Sequence, residues 1–168
     1  MSDRSKQAYL KTFMEEHDRT MRVLRAYPAD KLDLRPHPKL RTAKELAWVF
    51  VLETYLGKKV WNDEFAKGTA AASKPPEAPA SWDEQLKAID TTAREFHDLV
   101  QSADEATLDA NVHFFTGPKQ MGEITRKDWI WFLLHDQIHH RGQLSIYLRM
   151  ADGKVPAIYG PSADEQWT

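Results

Sequence analysis

Residues 129–160 read WIWFLLHDQIHHRGQLSIYLRMADGKVPAIYG. No proline interrupts this stretch before Pro156, and its apolar residues recur at helical spacing. Thr125 is placed as an N-cap with Asp128 three residues on, so one long helix is expected from Thr125 to about Met150. Gly153 reads as its stop signal, with Pro156 just beyond. His135 and His139 lie four apart. At about 100° per residue they differ by about 40° and project from one face. Trp131, Phe132, Gly142 and Ile146 share that face, which is therefore expected to point inward. Two imidazoles so placed can hold one divalent ion at about 2.0–2.1 Å. His140 is about 100° round from His139 and four residues from Asp136. It reads as an outer-face residue, paired with Asp136 or stacked at an interface, and not as a metal ligand. The tail beyond Pro156 is expected to fold back onto the body.

Three more helical segments precede this one. Leu10, Phe13, Met14, His17, Met21 and Leu24 mark an amphipathic helix over Asp3–Ala26, stopped by Pro28. Tyr27–Arg41 (YPADKLDLRPHPKLR) carries three prolines. It is long enough to cross the length of a bundle and let the first two helices run parallel. Thr42 and Glu45 have capping-box spacing and open a second helix through LAWVFVLETYLGKKVWNDEF to about Ala66, apolar on nearly every side between Leu46 and Leu56. Gly68–Ser81 is Ala/Pro-rich and reads as an exposed linker. Ser81 and Glu84 open a third helix, with a stripe of Leu86, Ile89, Ala93, Phe96 and Val100, to about Ser102. Thr107–Glu123 is the least helical part, a turn at Gly117-Pro118 with short extended flanks. The expectation is an all-α four-helix bundle with a long crossover loop, in a single domain over residues 1–168.

Composition narrows the function. The chain has 168 residues, 42% hydrophobic and 29% charged, with a mean hydropathy of -0.61. No apolar run approaches the roughly 20 residues of a membrane span, and no charged-then-apolar leader opens the chain. A cytoplasmic protein with no membrane partner is expected. The absence of cysteine excludes disulfides, thiol nucleophiles, zinc fingers and iron–sulfur ligation. A net charge of -2 gives no basic footprint for nucleic acid. GxGxxG, GxxxxGK[ST] and GxSxG are all absent, which disfavours a nucleotide substrate. Trp61, Trp82, Trp129 and Tyr147 are more large aromatic surface than such a bundle readily buries, so a homodimer is expected.

Glu53 falls mid-helix on the face that Val49, Leu56 and Val60 turn to the core. An ionised carboxylate there needs a partner, either a metal ion or a cation such as Arg141. His17 lies in the apolar stripe of the first helix and reads as a core histidine or a further ligand. His37, His97 and His113 read as ordinary. In HxxxH the position after the first histidine is Asp136, not the glutamate of HExxH.

The run HDQIHHRGQLSIYLRMADGKVPAIYGPSADEQW resembles the C-terminal signature of DinB-like proteins, the DinB/YfiT superfamily. LRPHPKLRTAKELAW resembles that family's entry into its second helix. The resemblance implies a four-helix bundle, often dimeric, with a divalent metal ion, zinc or nickel, in a three-histidine pocket. Two ligands carry over to His135 and His139. The third falls on Val49, which cannot coordinate, leaving Glu53 one turn on, or His17, to take its place, with Glu53 alternatively a general base. Characterised members of that family include transferases and isomerases that depend on low-molecular-weight thiols. The implied function is a metal-dependent thiol S-transferase, isomerase or hydrolase acting on a small molecule. The alternative is a non-catalytic bundle with a vestigial metal site, acting by binding or dimerisation.

Overall fold

The computed structural model describes residues 5–167. Four long helices form the body: α1 (Lys6–Arg25), α2 (Ala43–Trp61), α3 (Trp82–Ser102) and α5 (Arg126–Met150). A short helix α4 (Glu105–Asp109) and a hairpin of β1 (Asn111–Gly117) and β2 (Gln120–Thr125) join α3 to α5. The expected first residues of α1, Asp3 and Arg4, lie outside the described residues.

The caps sit where the sequence placed them. Thr42 Oγ1 accepts from Glu45 N while the Glu45 carboxylate accepts from Thr42 N, a complete capping box. Ser81 and Thr125 each accept from the backbone three residues on. At the end of α5 the left-handed position is held by Asp152 (φ 60°), with Gly153 N donating to Leu148 O and Asp152 N to Arg149 O. In the hairpin Val112 pairs with Ile124 and Phe114 with Gly122, and the ladder slips between Phe115 and Gly117.

α1 packs on α3 and α5, and α2 packs on the same two, so α1 and α2 lie on opposite corners. Lys6 Nζ at the start of α1 donates to Ala103 O just past α3, which makes these two antiparallel. Tyr9 meets Trp131 at 5.5 Å, so α1 and α5 run together. Arg126 Nε at the start of α5 donates to Trp61 O at the end of α2, and Lys44 Nζ near the start of α2 donates to Ala80 O before α3. Hence α2 runs against α5 and α1 but with α3.

This corrects the expected parallel arrangement of the first two helices. The loop over residues 26–42 spans the diagonal at one end, pinned by Ala43 N to Leu34 O and Lys44 N to Leu32 O. The crossover is instead the stretch 62–81. It lies against α2 as it returns, held at Lys59 Nζ to Ala70 O, Tyr55 OH to Ser73 O and Trp48 Nε1 to Pro76 O. That cover explains why α2 is apolar almost all round. α2 also approaches its neighbours closely at Gly57, where a Cβ would stand 2.8 Å from Leu133 Cδ2 and 3.2 Å from Phe96.

The aromatic residues expected at an interface are inside the chain: Trp61, Trp129 and Tyr147 are buried and Trp82 packs against the core. The exposed apolar residues are others, chiefly Phe115 and Met121 on the hairpin and Phe132, Ile146 and Met150 on α5. Among the described residues no helix is long and apolar enough to cross a membrane.

One ion pair lies deep in this body. Arg141 of α5 is 2% exposed and donates to Glu16 of α1 at 2.5 Å. Tyr159 of the tail donates to the same carboxylate at 2.6 Å and accepts from Arg141. Arg19 holds the other Glu16 oxygen at 2.8 Å, and Arg19 and Arg141 both lie over the Tyr159 ring. The tail thus packs back as expected, with Arg22–Glu165 and Arg149–Asp164 as outer clasps. Removing one member of a buried pair strands the other charge. Arg141→Met should lower unfolding stability by about 3 kcal/mol in urea melts, and Tyr159→Phe by about 1 kcal/mol. Adding Glu16→Leu to Arg141→Met should recover most of that loss. An Arg141→Met variant as stable as the parent would refute this account of the core.

Candidate metal centre

Arg141 sets the rotation of α5. With Leu133, Leu134, Leu144 and Leu148 it forms the buried side. One residue back is about 100° round, which turns His140 toward α2. There it meets Glu53: His140 Nε2 stands 3.1 Å from Glu53 Oε1. Asp136, one turn earlier, brings Oδ1 to 3.8 Å from the same nitrogen. Ligand atoms of Glu53, Asp136 and His140 all lie within 4.8 Å of one another. Glu53 is 7% exposed, whereas the Asp136 side chain is 45% exposed, so the cluster has a buried and a solvent side.

The hydrogen bonds around the cluster orient it. Gln143 Oε1 lies 3.1 Å from His140 Nδ1, and Gln143 Nε2 lies 2.9 Å from His139 Nε2. The amide can therefore accept from His140 Nδ1–H and donate to His139. That tautomer leaves the His140 Nε2 lone pair aimed at Glu53. The two stand at ion-pair distance, and both Glu53 oxygens are buried with no geometric hydrogen-bond partner among the described residues. A buried carboxylate facing an imidazole lone pair calls for a positive charge between them, either a proton or a metal ion. The donor set, two carboxylates and an imidazole, is one that divalent ions accept. Burial pushes the Glu53 carboxyl up to about 7, against the pull of His140. The Glu53 carboxylate in turn holds the His140 imidazole above the ordinary histidine range, while burial works the other way.

Of the face expected to point inward, Trp131 packs against the core and the rest is turned outward. His135 and His139 are exposed, as are Gly142, Phe132 (52%) and Ile146 (62%). The structure does not bring His135 or His139 to Glu53 or His17. His139 touches the cluster from outside, its ring 5.3 Å from that of His140 and its Nε2 bonded to Gln143. His140 and Asp136, expected outside, are the residues that face Glu53. A reading based on Leu133, Leu134, Leu144 and Leu148 rather than on the aromatic residues would have rotated the helix by that one residue. Arg141 in the middle of the stripe and Phe132 and Ile146 outside it obscure the signal. Glu53 is buried as expected, but Arg141, its expected alternative partner, is taken by Glu16. His17 is buried and bonds to Asp90 of α3 at 2.8 Å, not to the cluster. Val49 is part of the apolar core.

Beside His140 a cleft of about 500 Å³ opens between the diagonal loop, the start of α2, and Gln143 and Tyr147 of α5.

A sequence profile of the DinB family matches residues 1–168. The uncharacterised protein YrdA of Bacillus subtilis is 26% identical over 163 residues, spanning 95% of this chain and 90% of that protein. Among solved structures, the DinB-like protein YjoA of Bacillus subtilis superposes with a TM-score of 0.69 at 15% identity, covering 95% of this chain and 99% of that one. A DinB-like protein from Bacillus cereus gives a TM-score of 0.69 at 22% identity, over 91% and 97% of the two chains.

Glu53 and His140 both hold a proton more tightly in the folded than in the unfolded chain. Each therefore contributes stability that is full at acid pH and lost as pH rises through its folded pKa. For Glu53 that window runs from its ordinary 4.5 to about 7. Carboxylates held low, such as Asp90 and Asp164, act below it. The metal-free protein should lose about 2–3 kcal/mol of stability between about pH 5 and pH 8. Glu53→Gln should flatten most of that slope. Equal slopes in the two proteins, read by chemical denaturation, would contradict the assignment.

Proposed function

The chain belongs to the DinB family, and on that premise we propose that it holds a divalent metal ion between Glu53, Asp136 and His140 and acts on a small molecule beside it. The observation that carries this reading is the pair of buried Glu53 oxygens with no hydrogen-bond partner among the described residues, at ion-pair distance from the His140 nitrogen. Two carboxylates and one imidazole suit zinc, and they suit manganese better than an all-histidine site would. When bound, the ion would supply a Lewis acid that polarises an oxygen and lowers the pKa of a water or thiol.

The chain's own groups have separable parts in this reading. Gln143 fixes the tautomer and ring orientation of His140, a hydrogen bond of the kind that tunes metal-bound histidines. Asp136 stands at the solvent edge, where a substrate would arrive. When it does not ligate an ion, Glu53, its carboxyl pushed up to about 7 by burial, can instead take a proton as a general base. The chain has no cysteine, so a thiol taking part in an S-transfer or isomerisation would be a low-molecular-weight one from solution. The exposed Phe132, Ile146 and Met150 on one side of α5 are the support for a homodimer.

Metal content and calorimetry on untagged protein test the reading. One equivalent of zinc or manganese should bind. Glu53→Gln, Asp136→Asn and His140→Ala should each weaken it by about 100-fold or more. Gln143→Ala should cost about 10–100-fold, as outer hydrogen-bond partners of metal ligands do. His135→Ala should leave affinity unchanged. If the parent binds no more tightly than His140→Ala, the site is vestigial, and the bundle works by binding or dimerisation.

A further inference from the structure

We propose that the cleft beside His140 takes a small organic anion, its oxyanion end held by Arg41 and Lys39 and its other end reaching His140. This names the substrate class of the metal site and rests on that reading only for the His140 end.

The lining of the cleft carries three cations, Arg35, Lys39 and Arg41, against one carboxylate, Glu45. That excess is local, because the chain as a whole has a net charge of -2. Glu45 Oε2 accepts from Thr42 N at 2.8 Å and from Arg35 at 3.1 Å, and these bonds, with Arg41 nearby, hold its carboxyl below the ordinary range. No hydrogen bond or ion pair is formed by the side chains of Arg41 and Lys39 among the described residues. Among the described residues, neither cation is tied down by a direct contact at the mouth of this concave site, although Arg41 lies near enough to Glu45 to lower its carboxyl.

Their backbone is held in place before any ligand arrives. Pro36 and Pro38 restrict the loop, and Leu40 N donates to His37 O at 2.8 Å. Tyr147 OH donates to Arg41 O at 3.1 Å, tying the cation-bearing loop directly to α5. On the opposite wall stand His140 and Gln143, the orienting pair of the metal cluster. A volume of about 500 Å³ is that of a small-molecule site. The guanidinium fork suits a carboxylate or a phosphate ester equally, since both present paired anionic oxygens.

Calorimetry with succinate, inorganic phosphate and neutral succinamide, on metal-loaded and on chelator-treated protein, tests this. Succinate or phosphate should bind at least about tenfold more tightly than succinamide, which corresponds to one charge-assisted contact. Whichever anion binds identifies the carboxylate or the phosphate ester as the ligand class. The double variant Lys39→Gln/Arg41→Gln should raise the anion Kd by about tenfold or more and leave metal affinity unchanged. Glu53→Gln should lose the metal but keep anion affinity. Anion binding that survives in the double variant, or no preference over succinamide, overturns the proposal while leaving the metal reading intact. A parent that binds anion but no metal overturns the metal reading alone.

Discussion

An arginine in the interior of a helical bundle is costly unless its charge is answered, and the answer to Arg141 organises this molecule. Glu16 on α1, itself held by Arg19, and Tyr159 from the tail compensate it. A planar guanidinium bonded from two sides leaves α5 little freedom to rotate. The angular position of every other residue on α5 follows from that contact.

His139, His140 and Arg141 are consecutive, and steps of about 100° send them to three different surroundings. Arg141 enters the interior toward α1, His140 faces Glu53 on α2, and His139 stays outside. Gln143 reconnects the two histidines, accepting from one ring and donating to the other. The same polar residue therefore links the outer face of α5 to the buried carboxylate of α2. Glu53 is the complement of Arg141: a buried carboxyl whose oxygens have no geometric hydrogen-bond partner among the described residues.

The irregular segments serve the same arrangement. The diagonal loop brings Lys39 and Arg41 over the end of α2 and is tied to Tyr147. The crossover covers the outer side of α2 and so leaves its inner face free to carry Glu53. The tail closes over Arg141 with Tyr159. The loop and the crossover are held by side-chain to backbone bonds from helical residues and the tail by side-chain to side-chain bonds, so the position of each is set by the helices it crosses.

The sequence by itself determined the four helices, their caps at Thr42, Ser81 and Thr125, the hairpin between α3 and α5, the return of the tail, and the burial of Glu53. These depend on local spacing, on capping chemistry and on one residue's position within an apolar run. It also carried the family signature. Only the tertiary structure decided which side of α5 faces in. Phe132 and Ile146 lie outside and Arg141 inside, so these residues mislead where the leucine stripe of Leu133, Leu134, Leu144 and Leu148 does not, and the pairing of Arg141 with Glu16 decides between them. That rotation of one residue brought His140 and Asp136, rather than His135 and His139, to Glu53. The placing of the crossover after α2 was likewise decided by tertiary contacts. Loop length permits either a diagonal or a lengthwise path, and only the packing of each helix against its neighbours selects between them.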